Sequence, residues 1–491
     1  MDKAWRQVLH LAWVIMLVVL PITSMPFVIR LVGSDTVAAP AGLLLLFLVL
    51  VWLLPGLLRG MALPRQSLPL LGLGLVAVIS TAAASFWAIP PYKDVNVLSN
   101  QLKSLLTLAV GICFYLVAAA WPQRREQLQG ALRIINWSGL VVIAWSLLQA
   151  VVWYTQFAYP DWLRTIHEMY SIGPLYRQRV TGFALEPSWL AHQLNLLYLP
   201  WWLAASVGRF SVHRFRIWKF SLENLLLVGG VVVLWFTLSR IGLLAFLLMV
   251  AYLLIRANLW LTRKIQSWVM QHWQVSAQTQ KRAGRLVMVG IFILLFLIYV
   301  GVLLGIGWVL SQVDPRMREL FRFTFQSDNP ILSYASQLTF AARLVYWQAG
   351  WGVFSEHPWM GVGLGNAGFY FLDKMSNYAW GLMEVRDLFF RSGSLLNIKS
   401  VWVRLLAETG IAGFAFFVSW YYLLWQSTHF ARRSGEKLIR SLTLAGQLAL
   451  IGLLAEGFSV DSFAFPYLWV STGLATAACS IFYVESVSES K

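Results

Sequence analysis

Apolar residues follow one another along this chain in blocks of roughly 20 residues, which is the length of a helix that crosses a bilayer. Short polar stretches separate the blocks. The pattern predicts an all-α, polytopic membrane protein with about 12 transmembrane helices and one large helical periplasmic loop. The predicted spans are Leu9–Val28, Val37–Leu57, Leu68–Ile89, Leu102–Trp121, Ile134–Trp153, Trp189–Val207, Leu222–Leu238, Ile241–Arg256, Leu286–Leu310, Val401–Trp425, Leu442–Val460 and Ala464–Val484.

The composition agrees with this pattern. Of the 491 residues, 59% are hydrophobic and 12% are charged, whereas a soluble domain carries roughly 25% charged residues. Too little polar surface remains to cover a globule in water. The first apolar block is followed by Arg30 and not by small residues, so we interpret it as a span and not as a cleavable signal peptide. Cys113 and Cys479 lie inside apolar blocks, and their spacing fits neither a metal site nor a disulfide scaffold.

The formal net charge of +17 is explained by membrane topology, so no nucleic-acid partner is expected. Lys3 and Arg6 flank the first span. Placing them in the cytoplasm leaves the short outer loops nearly bare of basic residues, as the positive-inside rule requires. Both termini are then cytoplasmic. The predicted regions are 1–310 with nine spans and an outer loop at 154–187, the large periplasmic loop 311–400, and 401–491 with three spans.

The large outer loop is too long to be a simple connector. Its segment Thr339 to Phe354 has apolar residues at helical spacing and predicts a helix. The string HPWMGVGLG, from His357 to Gly365, predicts a turn-rich stretch. Its glycines do not follow a strand, so they do not indicate a nucleotide site. We expect this loop to carry part of the working site at the periplasmic face.

Arg240 is the most informative single residue. The apolar stretch from Leu222 to Arg256 is too long for one span, and its only break is Thr237-Leu238-Ser239-Arg240. The break predicts a very tight outer turn with an arginine in it. Such an arginine either pairs with a phosphate or carboxylate, or extends to the membrane interface and anchors the turn.

Two further outer arginines are candidates for the same site. Arg343 lies in the predicted helix of the large loop, and Arg179 opens the string RVTGFALEPSWLA. Guanidinium groups match phosphate geometry and stay charged in a desolvated pocket. If these arginines converge with Arg240, they form a clamp for a diphosphate.

Several other residues have both a structural and a chemical interpretation. Glu186 precedes Pro187 and an apolar span, so it either caps that helix or acts on an acceptor hydroxyl. Glu408 follows Arg404 by four residues, which predicts an ion pair on one helix face. His357 is a possible general acid or base, although a residue closing a helix C-terminus is the simpler interpretation. No metal-ligand spacing is present, and no cofactor is expected.

The chain resembles the O-antigen ligase and O-antigen polymerase superfamily. Four strings carry the resemblance in order: RVTGFALEPSWLA, LSRIG, RLVYWQAGWGVFSEHPWMGVGLGN and KSVWVRLLAETGIAGF. The resemblance implies a metal-independent, inverting glycosyltransferase that takes glycan from an undecaprenyl diphosphate carrier at the outer face of the inner membrane. It implies Arg240 and Arg343 as diphosphate ligands, with Arg179 as a further candidate.

One position departs from the ligases of this superfamily. Counting back from Gly410 and Gly413, their histidine position holds Lys399, followed by Ser400. Lysine is a poor base near neutral pH unless its environment lowers its pKa. It is instead a candidate third cation at the diphosphate site. The departure favours a polymerase, with Glu186 or Glu408 activating the acceptor.

Three functions stay open at this level. A polymerase joins repeat units on lipid diphosphate, whereas a ligase moves a finished chain to lipid A core or to a protein. A flippase or transporter shares the span number, but the two halves show no repeat. The expected partners are an undecaprenyl-diphosphate-linked oligosaccharide, membrane lipids and a chain-length regulator.

Overall fold

The computed structural model describes residues 3–32, 38–272 and 340–489, together with parts of 286–312. These residues are helical apart from connecting loops and one hairpin, in which strand β1, Arg216–Ile217, pairs antiparallel with β2, Phe220–Ser221. The helices are α1 Lys3–Val19, α2 Pro26–Val32, α3 Pro40–Leu48, α4 Leu54–Leu58, α5 Leu68–Ala84, α6 Val97–Ala120, α7 Arg125–Gln156, α8 Asp161–Tyr170, α9 Pro187–Gln193, α10 Leu199–Gly208, α11 Leu222–Phe236, α12 Arg240–His272, α13 Ala341–Glu356, α14 Phe371–Lys374, α15 Met383–Arg386, α16 Val401–Ala431, α17 Lys437–Glu456 and α18 Pro466–Glu489.

Short turns of other helix types accompany them. The π-helical turns are Val49–Leu53, Leu194–Tyr198 and Asp387–Arg391, and the 3₁₀ turns are Arg65–Ser67, Ala367–Tyr370 and Asn377–Gly381. The first of these π turns joins α3 to α4, and the second joins α9 to α10. Pro200, near the start of α10, has no amide hydrogen to donate, and a π turn is one way in which a helix accommodates such a residue.

Among the described residues, eight helices are long and apolar enough to cross a membrane. They are Pro40–Leu58, Arg65–Ala84, Val97–Ala120, Arg125–Gln156, Arg240–Ile265, Val401–Ala431, Lys437–Glu456 and Pro466–Ser486. The all-α, polytopic membrane fold is therefore confirmed, whereas the predicted count of twelve spans is not.

The differences from the predicted spans have local causes. The block Leu9–Val28 is not one helix, because α1 ends at Val19 and Pro21 disfavours a helical residue before it. The predicted span Leu222–Leu238 is the shorter helix α11. The predicted span Leu286–Leu310 lies partly outside the described residues.

Helices α17 and α18 are the most buried of these eight helices. In their most apolar windows, 89% and 78% of the residues are buried, against 28% for Pro40–Leu58. Small residues allow the close approach of these two helices: a Cβ on Gly446 would lie 2.5 Å from the Cβ of Ala475. Helices that are buried on nearly all sides in this way provide a rigid frame for the loops at their ends.

The chain divides into two compact units. The first comprises Met1–Phe246, Tyr346–Ser376 and Leu388–Lys491, and the second comprises Leu247–Val345 and Asn377–Asp387. The predicted three-region division stays a prediction. In the large loop, the helix predicted from Thr339 to Phe354 is present as α13, while the part from 313 to 339 lies outside the described residues.

Candidate active site

The predicted tight turn lies between α11 and α12, and Arg240 is the first residue of α12. Leu238 adopts a left-handed conformation with φ of 49°. The amide of Ser239 donates to Thr237 Oγ1 at 3.2 Å, and the amide of Gly242 donates to Ser239 Oγ at 3.2 Å. These bonds close the turn and cap α12. The half-buried Arg240 thus lies at the positive end of a helix. Its guanidinium charge and the helix N-terminus both favour the binding of an anion.

Arg179 contacts this turn from a distant part of the sequence. Its Nε donates to the carbonyl of Thr237 at 2.9 Å, and the amide of Val180 donates to the carbonyl of Phe236 at 3.1 Å. The structure therefore brings Arg179 to the turn that carries Arg240.

Tyr176 lies beside Arg179 and feels the charge of Glu186, and the sequence had not singled it out. The Arg179 guanidinium lies 5.9 Å from the centre of the Tyr176 ring. Burial raises the pKa of Tyr176, the nearby negative charge of Glu186 raises it further, and Arg179 opposes them. A cation and a carboxylate therefore share one neighbourhood beside the Arg240 turn.

Glu186 is the residue immediately before α9, as predicted, but its side chain does not cap that helix. Its Oε2 accepts the hydroxyl of Ser188 at 3.1 Å, and its main-chain carbonyl accepts the amides of the first helical turn. The half-buried carboxylate is thus held near the helix start without being used as a cap.

Helix α16 is broken at Gly410, which has φ of 62° and ψ of −166°. The stretch 357–365, here called the glycine loop, fills the break with its backbone. Four hydrogen bonds of 2.8 to 3.2 Å join the two segments: Val362 to Ala407, Gly363 to Glu408, Ile411 to Pro358 and Ala412 to Trp359. The loop therefore satisfies amides and carbonyls that a broken helix leaves without partners.

The glycines are required by this close contact. A Cβ on Gly361 would lie 2.4 Å from the carbonyl carbon of Glu408, and a Cβ on Gly410 would lie 2.3 Å from the carbonyl of Trp359. Helix α5 holds the same junction, because Ser80 Oγ donates to the carbonyl of Glu408 at 2.9 Å. The glycine pattern is thus explained by backbone docking, in agreement with the absence of a nucleotide motif.

The predicted ion pair on α16 is confirmed. Arg404 Nε lies 2.7 Å from Glu408 Oε2, and both side chains are largely buried. Arg404 also donates to the carbonyl of Asp461 and lies over the ring of Phe463. Because the guanidinium already occupies this carboxylate, Glu408 is less available to an acceptor hydroxyl, which weakens the case for it as a base.

His357 lies immediately after the end of α13. Its amide donates to the carbonyl of Val353 at 3.1 Å, and its ring stacks on Trp87 with centroids 5.0 Å apart. This position agrees with the simpler interpretation, in which His357 closes a helix and begins the glycine loop.

Arg343 belongs to the second unit, near the start of α13. Its amide donates to the carbonyl of Phe340 at 3.0 Å, and its guanidinium lies 6.0 Å from the centre of that ring. The expected meeting of Arg343 with Arg240 stays a prediction.

Residues 225–418 match the protein-family model described as O-antigen ligase. The chain carries an O-antigen ligase-family domain. The match confirms the resemblance to the O-antigen ligase and polymerase superfamily, whose members are membrane enzymes of the glycosyltransferase type. It does not distinguish ligase from polymerase. No curated protein sequence matches the chain.

The matched region contains the Arg240 turn, the glycine loop and the break at Gly410. At the histidine position of the O-antigen ligase family, Lys399 is half-buried and left-handed, with φ of 58°. Its amide donates to Asp461 Oδ2 at 3.2 Å, and Ser400 caps α16. Lys399 therefore lies at the positive end of a helix, where its charge adds to that of the helix dipole.

A buried polar cluster on α9, the π turn that follows it and α17 lies outside the O-antigen ligase-family match, and the sequence analysis missed it. His192 Nδ1 contacts Glu456 Oε2, and Asn195 Nδ2 donates to Glu456 Oε1 at 2.6 Å. All three side chains are at most 2% exposed. The available signal was the string HQLN within an apolar block, since polar residues at membrane depth are costly and usually functional.

This cluster fixes three elements of the candidate site relative to one another. Asn195 Nδ2 also donates at 2.7 Å to the carbonyl of Gly242, in the first turn of α12. The residue after Glu456, Gly457, accepts the hydroxyl of Ser400 at 3.0 Å. The helix after Glu186, the Arg240 turn and the start of α16 are thus held together. Among the described residues, no group of three or more potential metal-binding side chains is placed to hold an ion.

Proposed function

We propose that the protein is a polysaccharide polymerase. It transfers glycan from an undecaprenyl-diphosphate carrier to the sugar end of another lipid-linked repeat unit, with inversion and without a metal, at the periplasmic face of the inner membrane. The observation that carries the proposal is the meeting of Arg179 with the turn at Arg240, beside the carboxylate of Glu186. It supplies fixed positive charge and a proton acceptor in one place.

The donor half of the reaction needs cations because its leaving group is a diphosphate. As the bond between the sugar carbon and the diphosphate breaks, negative charge grows on the diphosphate oxygens. Arg240, Arg179 and the positive end of α12 stabilise that charge without reorganisation, which is the usual main source of catalysis in such sites. Arg343 and Lys399 are the proposed additional cations.

The acceptor half needs a base. Glu408 is held by Arg404, whereas the Glu186 carboxylate accepts only the Ser188 hydroxyl among the hydrogen bonds of the described residues. We therefore assign Glu186 as the proton acceptor. The acceptor hydroxyl oxygen attacks the anomeric carbon, its proton passes to Glu186, and the lipid diphosphate leaves from the opposite face, which inverts the configuration.

The decisive test uses purified protein and lipid-diphosphate-linked repeat units, with product length read on gels. We expect Arg240→Ala and Arg179→Ala each to lower the rate roughly 100-fold or more, as loss of one charge-stabilising donor does elsewhere. Arg177→Ala is the matched control, since it removes an exposed arginine from the same loop. Equal effects of Arg177→Ala and Arg179→Ala would contradict a specific role for Arg179.

The acceptor assignment has its own test. Glu186→Gln removes the base with little change in shape, so we expect normal donor binding and little polymer. Full-length polymer from Glu186→Gln would remove that residue from the mechanism. Lys399→His installs the histidine of the ligases, and a shift of the product toward a non-repeat acceptor would favour the ligase alternative.

The ligase alternative rests on the family match, because that model is described as O-antigen ligase. Incubation with lipid A core or with protein as the acceptor distinguishes it from the polymerase by its product. A transporter is the remaining alternative. Full sugar transfer by the Arg240 and Arg179 variants would favour the transporter alternative.

A further inference from the structure

A basic cavity of about 290 Å³ lies at the start of α17, where the end of α10 and the end of α16 meet it. Arg432, Lys437 and Arg440 line it, and no acidic side chain is among its described lining residues. The positive-inside pattern assigns these residues to the cytoplasmic side. The cavity is thus separate from the Arg240 turn, and a ligand in it does not depend on the proposed function.

A buried hydroxyl at this cavity has no partner among the described residues. Ser441 is 2% exposed, and its Oγ makes no hydrogen bond there. A Cβ on Gly208 would lie 2.4 Å from that oxygen, so only glycine at this position avoids a steric clash with the hydroxyl. A buried polar group without a partner is costly, which indicates that a ligand or solvent atom completes it.

The start of α17 adds positive potential. Lys437 is its first residue, and the side chain of the preceding Glu436 makes no capping hydrogen bond. That carboxylate is instead paired with Arg125 Nη1 at 2.9 Å. The orphan amides of the first helical turn, like those of other helix starts, therefore attract an anion.

We propose that this cavity binds the phosphate of an anionic lipid headgroup from the cytoplasmic leaflet. Basic pockets between transmembrane helices on this side are suited to such headgroups. Val207 lines the cavity and is 59% exposed, so an apolar surface for an acyl chain adjoins the cations. Arg432 Nη1 donates a hydrogen bond to Gln447 Oε1 at 3.1 Å. This bond already orders the Arg432 side chain, so binding costs it little conformational entropy.

The test measures lipid binding to the purified full chain in detergent, by native mass spectrometry and thermal shift. The probes are phosphatidylglycerol, phosphatidylcholine and inorganic phosphate. We expect selective binding of phosphatidylglycerol. Its affinity should fall roughly thirtyfold in the double variant Lys437→Gln, Arg440→Gln, because each cation near a membrane surface is worth about fivefold. Ser441→Ala should weaken binding several-fold.

The controls keep the outcome decisive. Arg433→Gln removes an exposed cation one residue from Arg432 that does not line the cavity, and should bind like the wild type. The charge-conserving variant Arg440→Lys should retain most binding. Equal binding of both lipids, or unchanged binding in the double variant, would overturn the proposal. Saturation by inorganic phosphate with no preference for lipid would overturn the headgroup assignment.

Discussion

Replacing Gly410 by alanine tests the way in which the broken helix and the glycine loop hold each other. The backbone of Gly410, with φ of 62° and ψ of −166°, lies in a region that is essentially restricted to glycine. A Cβ there would also lie 2.3 Å from the carbonyl of Trp359. The alanine variant must therefore accept a strained backbone and also push the glycine loop away.

The magnitude follows from the two costs. The strained conformation costs about 1–3 kcal/mol. Displacing the loop loses the bonds from Ile411 to Pro358 and from Ala412 to Trp359, each worth about 1 kcal/mol. We expect about 4 kcal/mol in total, which corresponds to roughly 1000-fold more frequent local opening.

Hydrogen–deuterium exchange measured by mass spectrometry in detergent reads this opening directly. Peptides covering Ile411, Ala412 and the glycine loop should exchange far faster in Gly410→Ala, and sugar transfer should fall with them. Gly130→Ala is the matched control, because Gly130 lies within helix α7, a Cβ added there would meet open space, and alanine favours a helix. Wild-type exchange in Gly410→Ala would show that the junction does not depend on this glycine.

Three further predictions concern other elements. His192→Ala leaves the buried Glu456 carboxylate with Asn195 but without its cationic or hydrogen-bonding partner His192, so we expect a loss of about 3 kcal/mol in denaturant unfolding; the double variant with Glu456→Gln should recover part of it, and equal losses would contradict the coupling. Burial lowers the pKa of His167 below its ordinary value of 6.5, so its contribution to stability is complete above that pH and is lost as the pH falls through the lowered pKa; exchange in α8 should rise on acidification, and His167→Gln should remove this dependence. Ser400→Ala removes the cap of α16 and should lower the stability by about 1 kcal/mol, with the largest increase in hydrogen-exchange rate in the first turn of that helix; an unchanged rate there would argue against capping.

Features with a strong local sequence pattern were predicted correctly. Apolar blocks predicted a polytopic helical protein, the four-residue break predicted the turn at Arg240, and the spacing of Arg404 and Glu408 predicted their ion pair. These features are local, so a short window of sequence contains their cause. The number of spans was less accessible, because Pro21 and the shortness of α11 change helix lengths within blocks that look uniformly apolar.

Hydropathy and motif order alone establish that this chain lies in a membrane and identify the family of its central region, because both are properties of the linear order of residues. Which polar groups meet depends on how the helices pack. Arg179 contacts the Arg240 turn, Glu456 contacts His192, and the glycine loop completes a helix broken at Gly410. These partners lie tens to hundreds of residues apart in sequence, and only helix packing brings them within the few ångströms over which hydrogen bonds and ion pairs act.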